Sequence, residues 1–114
     1  VGCSAALASL NLFAKDETFK NIKKIEDTHR KCLNTLSKSS NIKKIRVLGS
    51  IAAFDLNDDR FKYGSKSVEG LKKEFLNRGL LLRPIGKTIY LMPPFCIKKK
   101  ALEDCYKIIE EVIN

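Results

Sequence analysis

Only one histidine, His29, occurs in the whole chain, so no pair of imidazoles can bind a metal. Four cysteines are present, Cys3, Cys32, Cys96 and Cys105, but none lie at a Cys-x-x-Cys spacing, and neither a zinc site nor a redox pair is signalled. The six glycines are scattered and build no phosphate-cradling loop. There is no Gly-x-Ser-x-Gly elbow, and no pair of acids is placed against His29. No stretch approaches the roughly 20 apolar residues that span a bilayer, and no basic segment leads into an apolar run as in a signal peptide. A metal centre, a self-contained catalytic constellation and a membrane-spanning helix are therefore not expected, and the chain reads as soluble and cytoplasmic.

What is present in excess is positive charge: 22 Lys and Arg against 13 Asp and Glu, a net +9. A basic balance is compatible with nucleic acid, because lysines that neutralise phosphates release counterions. The lysines are nevertheless spread out, as Lys20, Lys23-Lys24, Lys43-Lys44, Lys72-Lys73 and Lys98 to Lys100, on the polar sides or ends of amphipathic segments. Aromatic interleaving and recognition motifs are missing, so solvated faces are the expectation and a nucleic-acid-binding domain the less favoured alternative.

The 114 residues suffice for one domain, 1–114, with a single core, and are few for a complete metabolic enzyme. The chain opens on Val1 and runs without a cap into small and apolar residues, as a piece of a longer protein would. Residues 2–14 read as a packing helix with a stripe of Leu7, Leu10 and Phe13. Asp16 is placed to cap a second helix, in which Phe19, Ile22, Ile25, His29, Cys32, Leu33 and Leu36 recur on one face. His29 on that stripe is expected to be packed rather than catalytic, and Cys32 and Cys105 to act as small hydrophobes.

Ile42 to Leu56 is rich in Ile, Val and Leu around Gly49. It predicts one long bent strand, or two short strands joined at a bulge, crossing the sheet interior. Asp55-Leu56-Asn57-Asp58-Asp59 resembles the opening of a calcium loop, but Arg60 stands where glycine is required and Lys66 where the bidentate glutamate belongs, so a polar turn is expected. Ser67 can cap a helix bearing Val68, Leu71, Phe75 and Leu76, with Gly79 ending it in the left-handed conformation. The last helix, about Lys99 to Ile113, puts Leu102, Cys105, Tyr106, Ile109, Val112 and Ile113 on one face and should lie flat on a sheet. The order of elements predicts an α+β domain with a small, mostly antiparallel sheet covered by helices.

The most informative segment is Leu81 to Phe95. Leu80 to Leu82 lead in, Gly86-Lys87 can reverse the chain, and Thr88 to Met92 return as a β-branched and aromatic run, which predicts a hairpin. Pro84 biases Arg83 toward extended backbone, and Pro93-Pro94 end the second strand. An arginine on such a frame presents a fixed fork suited to a carboxylate.

The run Arg83-Pro84-Ile85-Gly86-Lys87-Thr88-Ile89-Tyr90-Leu91-Met92-Pro93-Pro94-Phe95 resembles the C-terminal signature of the adenosylmethionine-8-amino-7-oxononanoate aminotransferases, a group within the class III aminotransferases. Ile45-Arg46-Val47-Leu48-Gly49-Ser50-Ile51 is similar to their Val-Arg-Val-Leu-Gly-Ala-Ile strand, and Val1 to Leu10 to the Ala-rich helix after their Gly-Asn-Pro turn. Ile85 replaces an expected aromatic residue and Phe95 the usual tyrosine. The resemblance implies the small C-terminal domain of a homodimeric, fold type I enzyme dependent on pyridoxal 5'-phosphate. That enzyme moves an amino group from S-adenosylmethionine to 8-amino-7-oxononanoate in biotin synthesis. It also implies that Arg83 receives the substrate carboxylate, with Tyr90 a weaker candidate for the pocket wall. The Schiff-base lysine and phosphate ligands would precede Val1, so no catalytic, cofactor-binding or metal-binding residue is expected in this chain, no cofactor is expected bound to it, and alone it should be inactive. Another class III aminotransferase with a different amino donor is the alternative within the family.

Overall fold

The computed structural model describes residues 1–57 and 66–114. Within them the chain forms α1 (Gly2–Phe13), α2 (Asp16–Leu36), β1 (Ile42–Leu48), β2 (Ile51–Leu56), α3 (Lys66–Asn77), β3 (Thr88–Leu91) and α4 (Lys99–Ile113). The strands make one antiparallel sheet in the order β1-β2-β3, so the architecture is α+β with β2 in the centre.

Two glycines create this sheet. The Ile42 to Leu56 run is not one strand crossing the interior. It reverses at Gly49, whose φ of +56° allows Leu48 to pair directly with Ile51. A bulge does occur, but earlier, where the register shifts between Lys43 and Arg46 and Lys44 takes a φ of +52°. As a result β1 is an edge strand with mostly exposed side chains, and β2 is the strand that is buried.

The second reversal is at Gly86, with φ +58°. Ile85 and Thr88 exchange backbone hydrogen bonds across it, at 2.9 and 3.0 Å. The expected hairpin is only half present, because β3 pairs with β2 while Leu80 to Pro84 form no ladder strand. Pairing on this side of β3 stops at the single Ile85–Thr88 bridge.

Alternation sorts the sheet into two faces. Ala52, Phe54, Leu56, Ile89 and Leu91 face a core shared with Ile25, Leu33 and Leu36 of α2, Leu71 and Phe75 of α3, and Leu102, Tyr106 and Ile109 of α4. The second face carries Arg46, Ala53, Asp55, Thr88 and Tyr90. Asp55, expected in a polar turn, lies within β2 and is buried.

Helix ends follow local chemistry. Lys15, not Asp16, is the N-cap of α2, and Asp16 and Glu17 occupy the first turn, where negative charge complements the helix dipole. Beyond α3, Gly79 N–H donates to the Leu76 carbonyl and Leu80 N–H to that of Phe75, both at 2.9 Å, with Gly79 at φ +82°. Gly79 thus ends the helix in the left-handed conformation as expected, in a Schellman pattern in which Leu80 packs against the core. The side chain of Ser67 and residues 58–65, with the rejected calcium loop's Asp58, Asp59 and Arg60, lie outside the described residues, as does the side chain of Lys66.

The first helix departs from expectation. Its stripe does not pack into the core, and α1 has no buried residue. Only its C-terminal end gains an aromatic neighbourhood, with the Phe13 ring 6.0 Å from Phe19 and 5.7 Å, edge-on, from Phe95.

Candidate functional site

Between the end of α3 and the Gly86 turn the backbone alternates in environment. Leu80 and Leu82 pack against the core and Pro84 and Gly86 are buried, while Leu81 is 68% exposed, Arg83 is exposed and Ile85 is 57% exposed. Three outward side chains therefore form a row, apolar, cationic, apolar, on a strip anchored from beneath. Arg83 also lines an open groove of about 740 Å³ with Leu81, Leu82, Leu76, Lys72, Lys73, Gly70 and Glu69. Among the described residues Arg83 has no ion-pair partner. Such a row can hold a carboxylate while apolar groups flank the chain that carries it.

Tyr90 is placed differently. It lies on the second face of the sheet, opposite Ala53 and half-buried, and is not among the residues lining the Arg83 groove. The two residues share one motif but the structure does not bring them into one groove.

Two polar networks escaped the sequence reading. On the second face Asp55 Oδ1 accepts from Thr88 Oγ1 at 2.8 Å and from Arg46 Nη2 at 3.0 Å. Burial alone would push the Asp55 carboxyl up, but the bonds from Thr88 and Arg46 outweigh it and hold the group below its ordinary value. The network depends on cross-strand neighbours, Arg46 on β1 and Thr88 on β3 on either side of Asp55 on β2, and no local sequence pattern marks it. In the core, His29 Nε2 lies 2.9 Å from the Ser50 carbonyl and Nδ1 lies 2.6 Å from the Tyr106 hydroxyl. His29 is thus packed, fully buried and engaged at both nitrogens.

The lysine faces are laced with ion pairs. Lys23 reaches Asp27 at 3.2 Å, Lys72 reaches Glu69 at 3.1 Å and Lys100 reaches Asp104 at 3.2 Å, each within one helix. These are solvated helix faces. No group of three or more metal-ligating side chains occurs among the described residues, and none of their helices is long and apolar enough to cross a membrane.

The chain belongs to the class III aminotransferases: the profile of the family described as Aminotransferase class-III matches residues 1–113. It is 36% identical over its whole length to the adenosylmethionine-8-amino-7-oxononanoate aminotransferase of Synechococcus elongatus, of which it covers 26%. The enzyme of that name from Methanocaldococcus jannaschii is 32% identical over 96% of the chain, which covers 26% of it. The crystal structure of the Methanocaldococcus jannaschii enzyme superposes with a TM-score of 0.83 at 30% identity, over 97% of this chain and 26% of that one. An acetylornithine aminotransferase from Elizabethkingia anophelis gives a TM-score of 0.80, also at 30% identity, over 97% of this chain and 27% of that one. The chain spans about 26% of the length of the curated relatives it matches.

The family implies pyridoxal phosphate in the full-length enzyme. The described residues do not by themselves fit it, since every lysine with a described side chain is exposed or half-buried, and Asp55, the buried carboxylate, is already engaged by Arg46 and Thr88.

Proposed function

We propose that this chain is the small C-terminal domain of a homodimeric, pyridoxal-phosphate-dependent transaminase that transfers an amino group from S-adenosylmethionine to 8-amino-7-oxononanoate, giving 7,8-diaminononanoate. The observation that carries the reading is the outward row Leu81, Arg83, Ile85 on a buried frame, in a chain whose relatives in Synechococcus elongatus and Methanocaldococcus jannaschii bear the name of that enzyme. The keto substrate has a carboxylate at the end of an apolar chain, and a guanidinium flanked by leucine and isoleucine matches both parts. Binding the far end orients the reacting carbon elsewhere, so remote binding energy is used for positioning. The cofactor and its lysine belong to the remainder of the protein, and the isolated chain is inactive.

The test uses the full-length protein. Activity with S-adenosylmethionine as donor is expected, and activity only with lysine or a terminal diamine would move the protein to another class III reaction. Arg83→Ala should raise KM for the keto acid by about ten- to a hundredfold, the equivalent of the ~1.5–3 kcal/mol carried by charge-assisted hydrogen bonds. An unchanged KM would remove Arg83 from the site.

A further inference from the structure

We propose that Asp55 is a positioning residue for Arg83, acting through Thr88 and the Gly86 turn; the proposal rests on the reading of Arg83 as the carboxylate clamp.

The strip bearing Arg83 is fixed at its two ends by different means. On the N-terminal side Leu82 packs against the core and carries the chain out of the α3 cap. On the C-terminal side, past the buried Pro84, the chain is fixed by the turn itself. There Ile85 exchanges both backbone hydrogen bonds with Thr88, and the position of Ile85 follows that of Thr88. Thr88 is in turn bonded to the central strand through its hydroxyl, which donates to Asp55 Oδ1 at 2.8 Å. The next residue of β2 adds a second tie, Leu56 N–H to the Lys87 carbonyl at 2.7 Å.

Asp55 is itself held. The same Oδ1 accepts from Arg46 Nη2 at 3.0 Å, and Arg46 Nη1 donates at 2.5 Å to the carbonyl of Lys44 in the β1 bulge. Strand pairing alone does not call for a carboxylate here, and a charged group only 6% exposed on a sheet carries a desolvation cost. What the carboxylate provides is a directional acceptor that sets the Thr88 hydroxyl, hence the turn, and hence the backbone from which the guanidinium reaches out. The row Arg46, Asp55, Thr88, Ile85 thus connects the edge of the sheet to the strip that carries Arg83.

The experiment measures how strongly the full-length holoenzyme prefers 8-amino-7-oxononanoate over its methyl ester, as a ratio of kcat/KM values, because that ratio reports the carboxylate contact and a merely structural role would leave it unmoved. Thr88→Val, which keeps the β-branch and removes the hydroxyl, should lower the preference by about tenfold, and Thr88→Ser should restore it. Asp55→Ala, which removes the acceptor for the Thr88 hydroxyl altogether, should lower it as well and serves as the deciding variant if Thr88→Val does not fold. On an Arg83→Ala background Thr88→Val should add nothing, since both act on one contact. If Arg83→Ala abolishes the preference while Thr88→Val and Asp55→Ala leave it intact, the positioning role is overturned and the clamp stands. If Arg83→Ala leaves the preference intact, the clamp itself falls and the positioning role with it.

Discussion

His29 accepts a hydrogen bond from the Tyr106 hydroxyl across the contact between α2 and α4, with Nδ1 and Oη 2.6 Å apart. The direction follows from the other nitrogen. A carbonyl can only accept, so Nε2, 2.9 Å from the Ser50 carbonyl, carries the proton and Nδ1 is left as acceptor. One imidazole thereby joins α2, α4 and the Gly49-Ser50 turn of the sheet.

That arrangement makes stability depend on pH. Burial pushes the His29 imidazole below its ordinary value of 6.5, and the Ser50 carbonyl opposes this only in part. Below pH 6.5 the unfolded chain takes up a proton that the folded one refuses, so stability is full above that pH and falls as pH drops from 6.5 toward the folded value. The slope contributed by one such group is at most about 1.4 kcal/mol per pH unit. Denaturant midpoints at pH 7.5 and 5.5 should show the loss in the native protein and a smaller one in His29→Gln. Tyr106→Phe deprives Nδ1 of its donor and should cost about 1–3 kcal/mol at neutral pH. Equal pH dependence in His29→Gln and the native protein would show that His29 is not the group responsible.

How much of this was legible in the sequence divides along a physical line. Periodicity marked α2, α3 and α4 because each buries one face, and Gly79 and Gly86 marked reversals because a positive φ favours glycine. Four features escaped. The Val-Leu-Gly-Ser-Ile run could not distinguish a bulge from a hairpin, since both place glycine among apolar residues, and only the pairing of Leu48 with Ile51 separates the two. Leu80 to Leu82 have strand composition but form no ladder strand, and Leu80 and Leu82 are held by packing against the core instead. The apolar stripe of α1 promised a packed helix, yet nothing in the described residues buries it. Arg83 stands out as a candidate from the proline and glycine that follow it, whereas Asp55 was hidden, because its partners Arg46 and Thr88 lie on other strands.

The four thiols should react in two classes. Cys3 and Cys96 are exposed, whereas Cys32 and Cys105 are half-buried on α2 and α4. Burial pushes both half-buried thiols up, reinforced by Glu103 at Cys32 and by Asp104 at Cys105. The thiolate is the reactive form, so both access and charge retard this pair. With a chromogenic disulfide reagent at pH 8, Cys32 and Cys105 should label slowly in the native state and at the common rate after denaturation. Rapid native labelling of either would contradict the packing of α2 against α4.

Gly79 offers the cleanest separation of backbone strain from side-chain crowding. A Cβ added there meets nothing within 4 Å, while the backbone holds φ at +82°. Gly79→Ala therefore cannot clash, and whatever it costs comes from forcing an L-residue into the left-handed region, about 1–2 kcal/mol. Asparagine tolerates that region better, so Gly79→Asn should cost less than alanine although it is larger. The ordering Gly, Asn, Ala in denaturant midpoint is the expected result. Alanine as stable as glycine would mean that the Gly79–Leu76 and Leu80–Phe75 bonds do not fix the end of α3. That cap starts the strip that carries Arg83, so on the carboxylate-clamp reading proposed above, Gly79→Ala should also raise KM for the keto acid in the full-length protein.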